Sequence, residues 1–327
     1  MNNNLITTEI INIINNSRNN ALKKVNEELI LMYWEIGKSL SLRSESSSFG
    51  DSFIDNIVKE VQNTFPGIKG FNRAGLYRMK QFYETYKAGE FVSPVVTQIS
   101  WTNHLIIMSK SKTKEERDFY INLCIKENYS KRQLERQIDS AYYERYMLSK
   151  EKLLPEPIKD LSENPFLDSY VIEFLDLPDN FKEKDLRNGL IQNMKNFILE
   201  IGKDFSFIGE EYRIQVGGED FYIDLLFFHR SLKCLVVFEL KLGKFKPEYI
   251  SKMDFYLEAL DRQLKKDDEN PSVGLVLCAS KDNEVVEYAM SRSMSPLLVS
   301  EYQLKLPDKS ILQTKLQQLA NLHLIEE

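Results

Sequence analysis

Cysteine and histidine are scarce, with three of each in 327 residues. Cys124, Cys234 and Cys278 are scattered, and two of them sit in apolar stretches. They are expected to be reduced, buried thiols, not disulfide partners. His104, His229 and His323 lie too far apart for a His-rich zinc site. No apolar run approaches the roughly 18 residues of a membrane-spanning helix. No basic, apolar, small-residue leader follows Met1, and the expected location is the cytoplasm. There is no G-x-S-x-G, no phosphate-binding glycine loop, no C-x-x-C and no repeat of fixed period, so the corresponding chemistries find no support. Positive charge is not in excess either, with 43 Lys and Arg against 49 Asp and Glu and a net charge of −6. The halves differ, however. Residues 1–150 hold 21 basic and 17 acidic residues, net +4; the remainder holds 22 and 32, net −10. That asymmetry points to the N-terminal half as the part that meets phosphate, although solvated helix faces would give the same count.

What is present is ordinary for a globular chain: 43% hydrophobic and 28% charged residues, enough for two cores. Apolar residues recur at helical spacing over 5–43, including Ile6, Ile10, Ile13, Ile14, Val25, Leu29 and Met32. A second helix is expected from Asp51 or Ser52 to Phe65, ended by Pro66-Gly67. Asn72 is a candidate N-cap for a third, with Leu76, Met79, Phe82, Tyr83 and Tyr86 as its stripe. That helix carries Arg73 and Arg78 among several basic residues and few acids, which suits contact with a nucleic-acid backbone or a plain surface. Trp101 and His104 open a further helix. Thr113 opens a capping-box-like one, and Ser130 another, which runs on through Leu148. Residues 151–165, inside a segment holding three prolines and many charges, are the best linker. The expected organisation is therefore 1–150 helical, 151–165 linker and 166–327 a second domain. In the latter, Phe166–Leu177 reads as a short apolar helix or docking segment, and Lys184–Ile201 as one amphipathic helix.

The stretch Glu210–Lys246 reads as three strands, Tyr212–Val216, Asp220–His229 and Cys234–Leu242, the first two joined at Gly217-Gly218. The second and third are apolar on both faces, as central strands are. Within them stand Asp224, Glu239 and Lys241. Glu239 and Lys241 are two apart, so on a strand they share a face, and Asp224 can oppose them from the neighbouring strand. Two readings stand: a buried ion pair with a separate Asp, or a metal site. Two carboxylates suit Mg²⁺, which completes its shell with water and phosphate, and a neighbouring lysine would orient water or offset phosphate charge. Further strands are expected at Pro271–Ala279 and Leu297–Ser300, with helices after each, the last over Leu304–Leu322. Alternating elements after a hairpin give a mixed α/β sheet with helices on both faces.

Asp224 followed by Glu239-Leu240-Lys241 on adjacent strands resembles the PD-(D/E)XK nuclease core. The words VGGEDFYIDLLFFH, CLVVFELKLGKFKPEY, DENPSVGLVLCASK and VSEYQL resemble the YhcG-type bacterial family, and GFNRAGLYRMKQFYE, EERDFYI and YSKRQLERQI resemble its helical N-terminal domain. The resemblance covers nearly the whole chain. It implies a restriction-endonuclease-like mixed β-sheet flanked by helices behind a mainly α-helical domain. It further implies a metal-dependent nuclease and says less about substrate. The first reading is Mg²⁺ (Mn²⁺ substituting) acting on DNA more than RNA, and because cutting both strands of a duplex takes two such sites, a dimer is the natural expectation. Asp224, Glu239 and the Leu240 carbonyl would bind metal, and Lys241 would position water. Glu200 matches an acid that the first core helix supplies in related branches. Tyr256 matches the tyrosine of a Q-x-x-x-Y motif, whereas Lys252 stands where Gln is usual and can bind phosphate but cannot accept a hydrogen bond. Lys244 and Lys246 follow the core lysine and are candidates for substrate phosphate. The alternative is a catalytically silent nucleic-acid-binding or assembly module on the same fold.

Overall fold

The computed structural model describes residues 2–44, 51–87, 95–150, 165–178, 180–291, 293 and 295–326. The chain divides into two compact units, Met1–Glu135 and Arg136–Glu327. The division precedes the expected one at 150, because Arg136 and Arg145 are built into the second unit by ion pairs described below. The expected linker lies outside the described residues, apart from Pro165.

The first unit is helical. Its helices are α1 (Asn2–Ser44), α2 (Asp51–Thr64), α3 (Arg73–Tyr86), α4 (Trp101–Lys110), α5 (Lys114–Glu127) and the start of α6 (Lys131–Asp139). Asn72 caps α3 by accepting from the Gly75 amide, and Thr113 caps α5 by accepting from Glu116, both at the expected positions. Before Trp101 the chain makes a 3-10 turn at Val96–Gln98. α1 packs on α3, and Gly37 sets how closely. A Cβ there would lie 2.1 Å from the Met79 carbonyl oxygen, so only glycine admits this approach. Leu40, Ile54, Phe71, Leu76 and Met79 form the core between α1, α2 and α3.

The second unit contains the rest of α6, α7 (Tyr142–Lys150), β1 (Ser169–Val171), α8 (Glu183–Gln192), α9 (Met194–Ile201), β2 (Phe205–Val216), β3 (Glu219–His229), β4 (Cys234–Lys244), α10 (Glu248–Gln263), β5 (Val273–Ser280), α11 (Asn283–Met290), β6 (Leu297–Gln303) and α12 (Lys309–Glu326). Six strands form one mixed sheet in the order β1-β6-β5-β4-β3-β2. β2, β3 and β4 are antiparallel, and β4, β5, β6 and β1 run parallel. Gly217 and Gly218 have φ of 62° and 87°, the two left-handed positions that a tight hairpin between β2 and β3 demands. One sheet face packs Phe227, Val236 and Phe238 against Leu186 and Leu190 of α8 and Phe197 of α9. The other packs Leu226, Val237 and Val276 against Met253, Leu257 and Leu260 of α10. Both faces are covered, which is why β3 and β4 read as continuous apolar runs.

Four expected elements differ. Phe166–Leu177 contains an edge strand, β1, paired in parallel with β6. Its hydrogen bonds come from a strand more than a hundred residues away, which no local pattern reveals. The helix expected over 184–201 breaks at Asn193 into α8 and α9. The helix expected from Ser130 through Leu148 breaks at Ala141, whose φ is 52°. The last helix starts at Lys309, with Asp308 accepting from the Ser310 amide, instead of at Leu304.

Candidate active site

Register places the central acids side by side. The β3–β4 ladder runs from His229↔Cys234 to Leu225↔Phe238 and stops one step before Asp224 would meet Glu239. On the other side, Glu210↔Leu225 and Tyr212↔Ile223 are paired, while Glu211 between them is not and has a φ of 42°. Glu211, Asp224 and Glu239 thus occupy one level across three adjacent strands, at a break in the ladder. The Leu240 amide, left without a ladder acceptor, donates instead to Asp224 Oδ2 at 2.9 Å.

Glu239 is buried, with 1% of its side chain exposed. Its Oε1 accepts from Lys241 Nζ at 2.9 Å and from Lys252 Nζ of α10. Its Oε2 is buried without a hydrogen-bond partner among the described residues. A buried, unsatisfied carboxylate oxygen is costly in isolation and marks a place for a cation or a donor. Lys241 Nζ also donates to the Leu240 carbonyl at 2.9 Å, lies 3.4 Å from Glu183 and stands 5.5 Å from the centre of the Tyr249 ring. Burial works to lower the Lys241 pKa, but Glu239 and Glu183 outweigh it and hold it above the usual lysine value. Lys252 behaves the same way: burial pulls down, and the bond to Glu239 pushes further up. Both amines are therefore ammonium groups at neutral pH. Lys252 also lies over the Tyr256 ring, and the Tyr256 hydroxyl donates to the Tyr222 carbonyl at 2.7 Å, tying α10 to β3.

Arg187 of α8 completes the site and was not expected. Its guanidinium donates to Asp224 Oδ1 at 3.2 Å and pairs with Glu211 at 2.8 Å, leaving its buried Nε without a partner among the described residues. The signal in the sequence is an arginine inside the apolar stripe of Leu186 and Leu190. A cation in such a stripe needs a reason, and a facing pair of acids supplies one.

No group of three or more His, Cys, Asp or Glu side chains suited to a metal gathers among the described residues. Asp224 and Glu239 are two carboxylates, with the Leu240 carbonyl beside them. That donor set fits a hard divalent cation that keeps water and phosphate in its shell, and does not fit an all-protein cage. The unpartnered Oε2 of Glu239 is the atom most suited to it.

Glu200 is placed elsewhere. It is fully buried, and its oxygens accept from Arg145 at 2.6 Å, Arg136 at 2.8 Å and the Val171 amide at 2.8 Å. Both its oxygens are thus engaged by two arginines and a backbone amide, and the structure places it in this ion-pair cluster and not with Asp224 and Glu239, where it was expected. Burial acts to raise its pKa, and the two arginines reverse that and hold it below the usual carboxylate value. Arg136 further forks onto Glu173. Lys244 and Lys246 are exposed, 3.8 Å from Asp282 and 3.7 Å from Glu248 respectively. Arg73 and Arg78 are exposed on α3 of the first unit, and Arg73 lies 3.7 Å from Asp55.

Residues 163–317 match the YhcG PDDEXK nuclease domain, and residues 9–145 match the DUF1016 N-terminal domain. The chain is 30% identical to "Putative nuclease YhcG" of Escherichia coli (strain K12), over 94% of this chain and 92% of that protein. The chain belongs to the YhcG family. Its C-terminal unit is accordingly a nuclease domain of the PDDEXK type, with its mixed sheet between helical layers. Among solved structures it is similar to a repair endonuclease from Pyrococcus abyssi, at 19% identity and a TM-score of 0.27 over 40% of this chain and 50% of that one. It is also similar to an EndoMS–dsDNA2 complex, at 16% identity and a TM-score of 0.28 over 41% and 48%.

Proposed function

We propose that this YhcG-family protein hydrolyses phosphodiester bonds of DNA with the help of a divalent cation, Mg²⁺ or Mn²⁺. The observation that carries this reading is the buried, unpartnered oxygen of Glu239 beside Asp224 at a break in the sheet. Asp224, Glu239 and the Leu240 carbonyl would hold the cation, which when bound polarises a phosphate and lowers the pKa of water. Asp224 is held for that task by the Leu240 amide and Arg187, so its carboxylate needs little reorganisation. Lys241 stays an ammonium and stabilises negative charge developing on the phosphate, with the Leu240 carbonyl and Glu239 fixing its Nζ. Lys252 adds a second positive charge on the α10 side, and Tyr256 holds that helix in place. Lys244 and Lys246 extend the positive rim along β4 and its following loop. Arg73 and Arg78 would meet DNA from the helical unit.

The test is cleavage of labelled single-stranded, double-stranded and branched DNA, and of RNA, with Mg²⁺ or Mn²⁺ against EDTA. Asp224→Ala runs beside wild type. Metal-dependent cutting of DNA that disappears in the variant is expected. Binding without cutting in every metal would move the assignment to a silent module on this fold, and cutting that survives Asp224→Ala would overturn the site.

A further inference from the structure

α1 carries two apolar faces, and only one is used among the described residues. From Asn26 onward the helix packs on its own unit: Ile30 and Trp34 are buried, and Asn26 donates to the Thr97 and Ile99 carbonyls. Every side chain from Ile6 to Val25 is exposed. At 3.6 residues per turn, Ile6, Ile10, Ile13, Ile14, Val25 and Leu29 fall on one side of the helix, roughly opposite the side of Ile30, Trp34 and Gly37. The stripe therefore points away from the only body that α1 packs on among the described residues. Each of the six is 41–58% exposed.

The N-terminal half of α1 is also a poor helix by itself. Residues 2–20 hold eight asparagines and five isoleucines, both weak helix formers. A marginal sequence of that length does not stay helical in water without packing its apolar face. The stripe needs a partner, and its size says which kind. Each half-exposed aliphatic side chain leaves about 80 Å² of apolar surface, so the six leave about 500 Å². A standard interface buries about 800 Å² per partner, of which roughly 60% is apolar, again about 500 Å². One stripe meeting an identical stripe is a closed, two-fold arrangement that leaves no further sticky surface.

We propose that the occupant is a second copy of this chain, paired through the exposed stripe of α1. In one respect the proposal rests on the nuclease reading: cutting both strands of a duplex calls for two sites, which a dimer supplies. Its geometry does not depend on that reading.

The test is the mass of the full chain by light scattering after gel filtration, at micromolar to tens of micromolar protein. Wild type is expected near twice the 38.3 kDa chain mass. The double variant Ile10→Asp with Ile14→Asp is expected at the single-chain mass with its helical circular dichroism largely retained. Asp224→Asn is expected to remain dimeric, so a failed nuclease reading and a failed dimer are told apart. Because two aspartates can also disturb α1 itself, Ser17→Cys gives a second measurement. Ser17 lies exposed in the stripe, and the three native cysteines are buried. A bifunctional maleimide is expected to link two copies of that variant and not of wild type. A wild type at single-chain mass, a double variant as dimeric as wild type, or no cross-link through residue 17 would each overturn the proposal; the first would assign the stripe to a different protein.

Discussion

Replacing Glu200 separates a structural acid from a catalytic one. Glu200→Ala removes the carboxylate that receives Arg145, Arg136 and the Val171 amide. Arg136 keeps Glu173 as a counter-charge. Arg145, with 1% of its side chain exposed, keeps hydrogen bonds to the Ser140 and Ser169 carbonyls and the Ser140 hydroxyl but loses its carboxylate partner. Leaving a buried charge uncompensated costs about 3–5 kcal/mol. For a unit of this size 1 kcal/mol moves the melting temperature by roughly 2–4 °C, so a fall on the order of 10 °C is expected. Glu200→Gln keeps the shape and an acceptor but not the charge, and should fall between wild type and the alanine variant. The pH dependence has a definite sign. Glu200 has a folded pKa below the unfolded carboxylate value, so its contribution is present above that value and is lost as pH falls below it. The gap between wild type and Glu200→Gln should therefore close in acid, below about pH 4. The assays are thermal melts across pH and Mn²⁺ binding by calorimetry. Unchanged melting together with lost Mn²⁺ binding would refute the argument and return Glu200 to the metal site.

Glu239→Gln should reduce Mn²⁺ affinity by at least 10-fold and abolish cleavage, because the buried Oε2 no longer carries charge; a calorimetric titration and a nicking assay check both. Lys252→Gln removes one of two ammonium groups from Glu239 Oε1 and should tighten Mn²⁺ binding several-fold while weakening binding of DNA, seen by comparing the two isotherms. Arg187→Gln should leave the fold intact but loosen Asp224, raising the Mg²⁺ concentration needed for half-maximal cleavage, with partial rescue in Arg187→Lys. Burial pushes His104 down to about 4 against the bond it makes to the Val96 carbonyl. Folding then loses stability as pH falls from about 6.5 to about 4, by up to about 3 kcal/mol, and His104→Asn should flatten that slope in urea melts taken at each pH.

The comparison of Asp224, Glu239 and Glu200 shows how far one-dimensional reading reaches. Asp224 and Glu239 stood out because charge in an apolar strand is anomalous wherever the strand lies. Alternation of side chains puts Glu239 and Lys241 on one face of any strand that holds them. Glu200 gave the same kind of signal, an acid beside apolar positions next to the sheet, but its partners are Arg136 and Arg145, more than fifty residues earlier. Arg187 carries the converse signal, a cation inside the apolar stripe of α8, but that signal does not name its partners, and only the fold shows that Asp224 and Glu211 face it. The breaks at Asn193 and Ala141 were equally hidden, since neither residue carries a strong stop signal and the apolar pattern continues on both sides.

Local chemistry alone thus determined the helical first part, the caps at Asn72 and Thr113, the glycine hairpin and the acids in the central strands, because each depends on residues within a few positions. Tertiary structure decided the edge strand β1, the separation of Glu200 from Asp224 and Glu239, and the place of Arg187, because each is set by which distant charge or backbone group fills a buried partner's need.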